Sequence, residues 1–201
     1  MQRFLLALLA LLFLWIPFAE AGFIRGDTPD FHPGFRASQY YSHPLENSAS
    51  TMAVAANTHY ATPLFVPVTT TFTKLGFEVT VAATTGARCI QAIYDTGSAI
   101  PSARQLIGTE QAADSTGIKE STVSLTLNPG WYWLTLNCNN TPTVRASVLT
   151  TRVGLFGATS TTANNTAAYY RTETYSTTPP ATFGAVTENT TTTIPKVWVR
   201  L

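Results

Sequence analysis

Short runs in which apolar residues occupy every second position are the feature that most constrains the fold of this chain. Phe77, Val79 and Val81 follow this period, and so do the Val and Leu residues of the segment 123–127. Successive side chains of a β-strand point to opposite faces, so this period places the apolar residues on one buried face. Because only 11% of the residues are charged, Thr, Ser and Asn must provide much of the polar surface. The chain is therefore predicted to be all-β.

About eight such runs, each bounded by turn residues such as Gly, Pro and Asn, lie between residues 60 and 201. Many short strands without helical periodicity predict an antiparallel, two-sheet β-sandwich of jelly-roll type. The turn sequence Asn-Pro-Gly at residues 128–130 is predicted to join the strands 123–127 and 131–136 in a hairpin.

The N-terminal end of the chain differs in composition from the rest. Arg3 precedes an apolar run over residues 4–18, and Ala-Glu-Ala follows at residues 19–21. This order is typical of a secretory signal peptide, so residues 1–21 are predicted to form a hydrophobic leader helix that is cleaved before Gly22. The alternative is an uncleaved anchor that lies against lipid or another protein.

Three segments are predicted along the chain. Residues 1–21 are the signal peptide or hydrophobic anchor, residues 22–54 are an extended arm or linker, and residues 55–201 are the β-sandwich domain. The arm is rich in Gly, Pro and Ser and has no periodic apolar pattern. Within the sandwich domain, the Thr-rich segment 156–193 is interpreted as a long loop, because the alternating residues 197–201 after it predict a final strand.

Two cysteines, Cys89 and Cys138, each lie in a run that is predicted to be a strand. An even number of cysteines behind an export signal favours a disulfide between them, and two buried free thiols are the alternative. The three histidines, His32, His43 and His59, are scattered along the chain, so neither a metal site nor a cofactor is expected.

The sequence contains no recognisable catalytic motif. Its carboxylates are thinly spread, and it has no nucleophile elbow, zinc-binding helix, phosphate loop or dinucleotide fingerprint. Lys and Arg number 12 against 11 Asp and Glu, so the net charge creates no strong field that would attract nucleic acid. We therefore expect a non-enzymatic chain that binds no nucleic acid and meets a membrane only through residues 1–21.

Three tryptophans are the candidate binding residues. Trp131 and Trp133 alternate with Tyr132 and Leu134, so the two Trp side chains are predicted to lie on the face opposite the apolar core face. Trp198 occupies a similar position in the final strand, between two basic residues. Exposed aromatic rings stack on sugars or anchor protein interfaces. The alternative is that the Thr-rich loop or the N-terminal arm covers these rings, which would make them ordinary packing residues.

Three runs carry a resemblance to known proteins: IYDTGSAIP at residues 93–101, LTLNPGWYWL at residues 125–134 and PKVWVRL at residues 195–201. Together they resemble β-sandwich modules of bacteriophage tail and other virion structural proteins. The resemblance implies a structural or attachment subunit, such as a tail, fibre or decoration protein, that contacts partner subunits or a host surface. It also implies a location in the virion. A homo-oligomer, with a trimer favoured, is expected for a separate reason, because a chain with so few charged residues needs many repeated weak sites in order to bind.

A secreted carbohydrate-binding or adhesion module at the cell surface is the alternative function. The leader, the predicted disulfide and the three tryptophans support this alternative. Oligomeric state discriminates the two functions, because a virion subunit is expected to be multimeric whereas a binding module can be a monomer.

Overall fold

The computed structural model describes residues 33–149 and 168–201, and these residues form two antiparallel β-sheets. The predicted all-β, two-sheet sandwich is thereby confirmed. Within the described ranges, no helix is long and apolar enough to cross a membrane. The predicted leader helix at residues 1–21 lies outside the described residues.

The strands of the described residues divide equally between a sheet A and a sheet B. In chain order they are β1 (Tyr40–Tyr41), β2 (Ser48–Ala53), β3 (Thr58–Val66), β4 (Thr70–Val81), β5 (Arg88–Gly97), β6 (Ile100–Ile107), β7 (Gln111–Ala112), β8 (Gly117–Leu127), β9 (Gly130–Cys138), β10 (Thr143–Val148), β11 (Tyr169–Thr172), β12 (Thr187–Glu188), β13 (Thr193–Pro195) and β14 (Trp198–Arg200). Sheet A has the order β1-β14-β4-β10-β13, and in addition β2 pairs with β10 and β8 pairs with β4. Sheet B has the order β12-β11-β3-β9-β5-β6, and β7 also pairs with β5.

Eight of these strands form the two facing layers that enclose the core. In sheet A the neighbours run β2-β10-β4-β8, and in sheet B they run β3-β9-β5-β6. The chain changes sheet at almost every step along this set. Among the eight strands, β5 and β6 alone follow each other within one sheet, where they form a hairpin.

The core lies between the sheets and is built from residues at alternating positions. Phe77 and Val79 of β4 are buried there, as the period of two predicts, together with Leu134 of β9. Val81, the last residue of β4, is exposed, so the apolar period extends one residue beyond the core. Val199 of the final strand β14 is buried in the same cluster, which confirms that the C-terminal strand belongs to the sandwich.

Cys89 of β5 and Cys138 of β9 lie directly opposite each other and form the predicted disulfide. Their Cα atoms are 4.1 Å apart, the short separation that is typical of a non-hydrogen-bonded pair in an antiparallel ladder. Both cysteines are buried. The bond therefore fixes the register of two neighbouring strands at the edge of the core.

The predicted hairpin around residues 128–130 is wrong. The turn is present, but β8 before it pairs with β4 in sheet A, whereas β9 after it pairs with β3 and β5 in sheet B. The apolar residues of both strands, such as Leu125 and Leu134, pack on the same core cluster from opposite sides. A turn sequence specifies that the chain reverses, but it does not specify whether the two strands meet edge to edge or face to face.

Residues 34–54, which the sequence assigned to an extended arm, are part of the sandwich. All six residues of β2 pair with β10, and the two residues of β1 pair with β14. The Phe35 ring lies 5.3 Å from the ring of the core residue Phe72. The strand β2, Ser48–Ala53, is mostly exposed and has mainly small side chains, so it lacks the apolar period that identifies a strand in a sequence.

The described part of the Thr-rich segment, residues 168–193, is not a simple loop. Its strand β11 pairs with β3 along four residues, and β12 pairs with β11. Phe183, farther along the segment, is fully buried. The segment therefore extends sheet B and lies across part of its outer face.

The hairpin between β5 and β6 turns through Ser98 and Ala99, which have φ angles of 52° and 65°. Gly97 and Ile100 on either side are paired, so this is a two-residue loop with two left-handed residues, the type I′ geometry that favours Asn-Gly. An alanine in the left-handed region costs about 1 to 2 kcal/mol.

Replacing Ala99 by Gly is expected to raise the free energy of unfolding by about 1 kcal/mol, because the left-handed penalty exceeds the entropy cost of a glycine. Ala103→Gly, in the extended strand β6, is the matched control and is expected to lower it by about 0.5 to 1 kcal/mol. Urea unfolding measures both changes. A destabilised Ala99→Gly variant would contradict the turn geometry.

Candidate functional site

The three candidate tryptophans lie in different environments and do not form one platform. Trp131 and Trp133 belong to β9 in sheet B, whereas Trp198 belongs to β14 in sheet A. Trp133 is fully buried, with Tyr169 of β11 at a ring distance of 5.2 Å. Trp131 is partly buried, and its ring lies 5.0 Å from its cross-strand neighbour Phe65.

The burial of Trp133 corrects the expectation of an exposed Trp pair on β9. The alternation itself is as predicted, because Trp133 lies on the face opposite the core residue Leu134. On the outer face of sheet B, however, Trp133 is covered by the Tyr169 side chain of the neighbouring part of the sheet and by Phe183. Trp133 is therefore a packing residue, in line with the alternative that the sequence left open.

His59 lies beneath the same cover and was not identified by any sequence motif. Its ring is 4.8 Å from the ring of Phe183 and 5.9 Å from the ring of Tyr94. Neither ring nitrogen has a hydrogen-bond partner among the described residues. Burial, with a further contribution from the positive charge of Arg171, lowers the pKa of His59 from 6.5 to about 3. The imidazole is therefore neutral at ordinary pH.

Charged and polar groups surround this histidine. Arg171 of β11 is opposite His59 in the ladder, forms an ion pair with Glu173 and lies 5.2 Å above the Phe183 ring. The Tyr94 hydroxyl donates a hydrogen bond of 2.8 Å to the carbonyl of Pro180, and burial raises the pKa of Tyr94 to about 12. His59, Tyr94 and Phe183 are all fully buried, so these three rings present no open surface to a ligand.

Trp198 lines an open groove with a volume of about 300 Å³ on the outer face of sheet A. This groove, called the sheet A groove below, combines aromatic, small and charged side chains. Its lining residues are Tyr40, Ala49, Glu78, Ile118, Arg145, Lys196 and Trp198. They come from six strands and from the link between β13 and β14, which the sandwich brings together on one face.

The aromatic end of the groove is formed by Trp198 and Tyr40. Trp198 is only 6% exposed, whereas Tyr40 is 50% exposed. Their rings are 5.7 Å apart at 80°, an edge-to-face arrangement. The guanidinium of Arg200 lies over the Tyr40 ring, 5.5 Å from its centroid, and donates a hydrogen bond of 3.3 Å to its hydroxyl. These contacts hold the exposed Tyr40 ring in one orientation.

Gly76 of β4 gives Trp198 its place on the sheet. The two residues are opposite each other in the ladder, and a Cβ at residue 76 would come within 2.7 Å of Trp198 Nε1 and 2.9 Å of the Lys119 carbonyl. The missing side chain therefore lets the indole lie against the strand. A glycine inside a strand often marks a place that another group approaches closely. Gly76 was therefore the sequence signal for a close contact at this point of the sheet.

The polar end of the groove contains paired charges. Arg145 binds Glu78 in a bidentate ion pair with distances of 2.9 and 3.0 Å, and Lys196 contacts the Glu46 carboxylate at 2.8 Å. The hydrogen bonds from Arg145 lower the pKa of Glu78, and the same pair raises the pKa of Arg145. Both groups are therefore charged over the ordinary pH range, and each of the two ion pairs has no net charge.

No group of three His, Cys, Asp or Glu side chains in residues 33–149 and 168–201 is arranged to hold a metal ion. No protein-family model matches the chain, and a comparison with curated proteins gives no match either.

Proposed function

We propose that this chain is a non-enzymatic structural or attachment subunit of a virion or a similar particle. The order of the eight core strands is the observation that supports this most. Sheet A contains β2-β10-β4-β8 and sheet B contains β3-β9-β5-β6, which corresponds to a jelly roll of eight strands in two sheets. Viral capsid proteins and lectins are among the proteins that use this fold.

The fold alone is compatible with several functions, so the surface must provide the second argument. Sheet B is partly covered on its outside, whereas sheet A presents the groove with Tyr40, Trp198 and two ion pairs. Tyr40 is the exposed aromatic ring of this groove, whereas Trp198 is buried beside it. A surface that sets an exposed aromatic ring among ordered polar groups is typical of an interaction site. We assign contact with partner subunits or a host surface to this face.

Particle subunits act through repetition, because many weak sites on one assembly bind with a high effective concentration. Only 11% of the residues of this chain are charged, so long-range electrostatic attraction of a partner is weak. Binding through many repeated sites does not depend on such attraction. The protein would be located in the virion, or outside the cell if the N-terminal segment directs export.

The protein, expressed with its own N-terminal segment and purified, is expected to be a multimer, most simply a trimer. Size-exclusion chromatography with light scattering over a concentration series measures this directly. A monomer at all concentrations would overturn the particle-subunit proposal. A secreted carbohydrate-binding module, which the aromatic end of the groove also supports, would then replace it.

A further inference from the structure

We infer that the sheet A groove binds one neutral sugar ring of a glycan on a host surface, an inference that rests on the proposed attachment function. A sugar ring has an apolar face of C–H groups and a rim of hydroxyls. The groove has the same division, because Tyr40 and Trp198 form one end and the pair of Arg145 with Glu78 lies at the other. Its volume of about 300 Å³ is at the lower end of the range for small-molecule sites.

The charges of the groove favour a neutral ligand over an anionic one. Arg145 and Lys196 are each matched by a carboxylate, Glu78 and Glu46. At these two cations, an acidic sugar or a phosphate would have to compete with the carboxylates for the same donors. A neutral hydroxyl can donate to a carboxylate and accept from a guanidinium, so it adds hydrogen bonds without breaking either pair.

Arg145 and Glu78 present a fixed donor next to a fixed acceptor. Their side chains keep 36% and 30% of their surface exposed, so both groups can still reach a ligand. Two neighbouring hydroxyls of a sugar can meet such a pair together, one as acceptor and one as donor. Because the bidentate ion pair already orders both side chains, less conformational entropy is lost when the ligand binds.

Tyr40 is the stacking residue at the other end of the groove. It is half exposed, and Arg200 and Trp198 both contact its ring. Aromatic rings that are exposed and already ordered contribute contact area at low entropic cost. Ile118, which is also exposed, extends the apolar surface from β8.

Saturation-transfer difference NMR tests this site on the whole purified protein. The probes are the methyl glycosides of glucose, galactose, mannose and N-acetylglucosamine, with sialic acid as the anionic comparison. We expect transfer to at least one neutral sugar and weaker transfer to sialic acid. Absence of transfer to all four neutral sugars, or stronger binding of sialic acid, would overturn the assignment.

Two variants locate the binding in the groove. Arg145→Gln is expected to weaken binding about tenfold, which corresponds to one charge-assisted hydrogen bond, and Tyr40→Ala is expected to abolish transfer. Arg88→Gln is the matched control, because Arg88 is paired with Asp114 and is 38% exposed, similar to Arg145. If thermal unfolding shows that both variants are folded, equal sugar affinity of Arg145→Gln and Arg88→Gln refutes the site.

The outcomes also separate this inference from the proposed function. If the protein is a multimer but binds none of the sugars, the proposed subunit role stands and the sugar site is refuted. If the protein is a monomer that binds a neutral sugar through Arg145, the sugar site stands and the subunit role is overturned.

Discussion

Acidification from pH 6.5 to pH 3 is expected to lower the free energy of unfolding by about 4 kcal/mol through His59 alone. The folded protein holds His59 neutral down to a pH of about 3, because burial lowers its pKa from 6.5 to about 3. In the unfolded chain the same side chain takes up a proton below about pH 6.5. The unfolded state therefore binds more protons over this window, and stability falls as the pH falls. Each pH unit contributes about 1.4 kcal/mol, so the loss at pH 5 is about 2 kcal/mol.

The variant His59→Leu isolates this contribution. Neither ring nitrogen of His59 has a hydrogen-bond partner among the described residues, so an apolar side chain of similar volume removes a buried polar group without breaking a bond. We expect the variant to be more stable than the wild type at pH 7, by about 1 to 3 kcal/mol. The stability of the variant is also expected to fall less steeply in acid. Urea unfolding at pH 7, 5 and 4 measures both effects, and an unchanged difference across these pH values would contradict the role of His59.

His43→Leu is the matched control for this experiment. His43 is also buried, but its Nδ1 accepts a hydrogen bond of 3.0 Å from the Leu45 N–H. Its replacement is therefore expected to lower stability by about 1 kcal/mol, the opposite sign to His59→Leu. Arg171 and Glu173, the charged residues near His59, are retained in both variants.

Loss of the Cys89–Cys138 disulfide is expected to lower the free energy of unfolding by about 4 kcal/mol. The bond joins residues separated by 49 positions, and closure of a loop of this size restricts the unfolded chain by that amount in the chain-entropy model. Urea unfolding with and without a strong reductant measures the effect. The matched control is Cys89→Ala with Cys138→Ala, whose stability is expected not to respond to reductant. The prediction would be contradicted if thiol labelling showed the wild-type protein to be fully reduced while its free energy of unfolding equalled that of the oxidised protein.

The sequence was sufficient for the class of fold because local patterns encode it. The period of two in β4 and β9 identifies buried strand faces, and the paired cysteines lie in runs that are both strands. The sequence does not show which strands pair with each other, since the turn at residues 128–130 is equally compatible with a hairpin and with a crossing between sheets. The edge strand β2 was missed because its small, exposed side chains carry no apolar signal.

The candidate site was predictable only in part. Trp198 was singled out for its position between two basic residues, and it lies in the groove, but Tyr40, Arg145 and Glu78 were not connected with it. These residues are distant in sequence and meet only because β1, β4, β10 and β14 are neighbours in sheet A. Trp133 was misjudged for a related reason, because its cover comes from Tyr169 and Phe183 of a segment without a strong strand pattern.

The disulfide has a mechanical consequence for a protein that attaches to a surface. A chain pulled from its ends can lengthen only by releasing residues, and the 49 positions between Cys89 and Cys138 correspond to about 170 Å of extended chain. Because the disulfide is covalent, this part of the chain cannot extend under tension while the bond is intact. The strands β6, β7 and β8 and most of β5 and β9 lie inside the closed loop, so a tether made of this protein would stretch by the remaining residues and then stiffen.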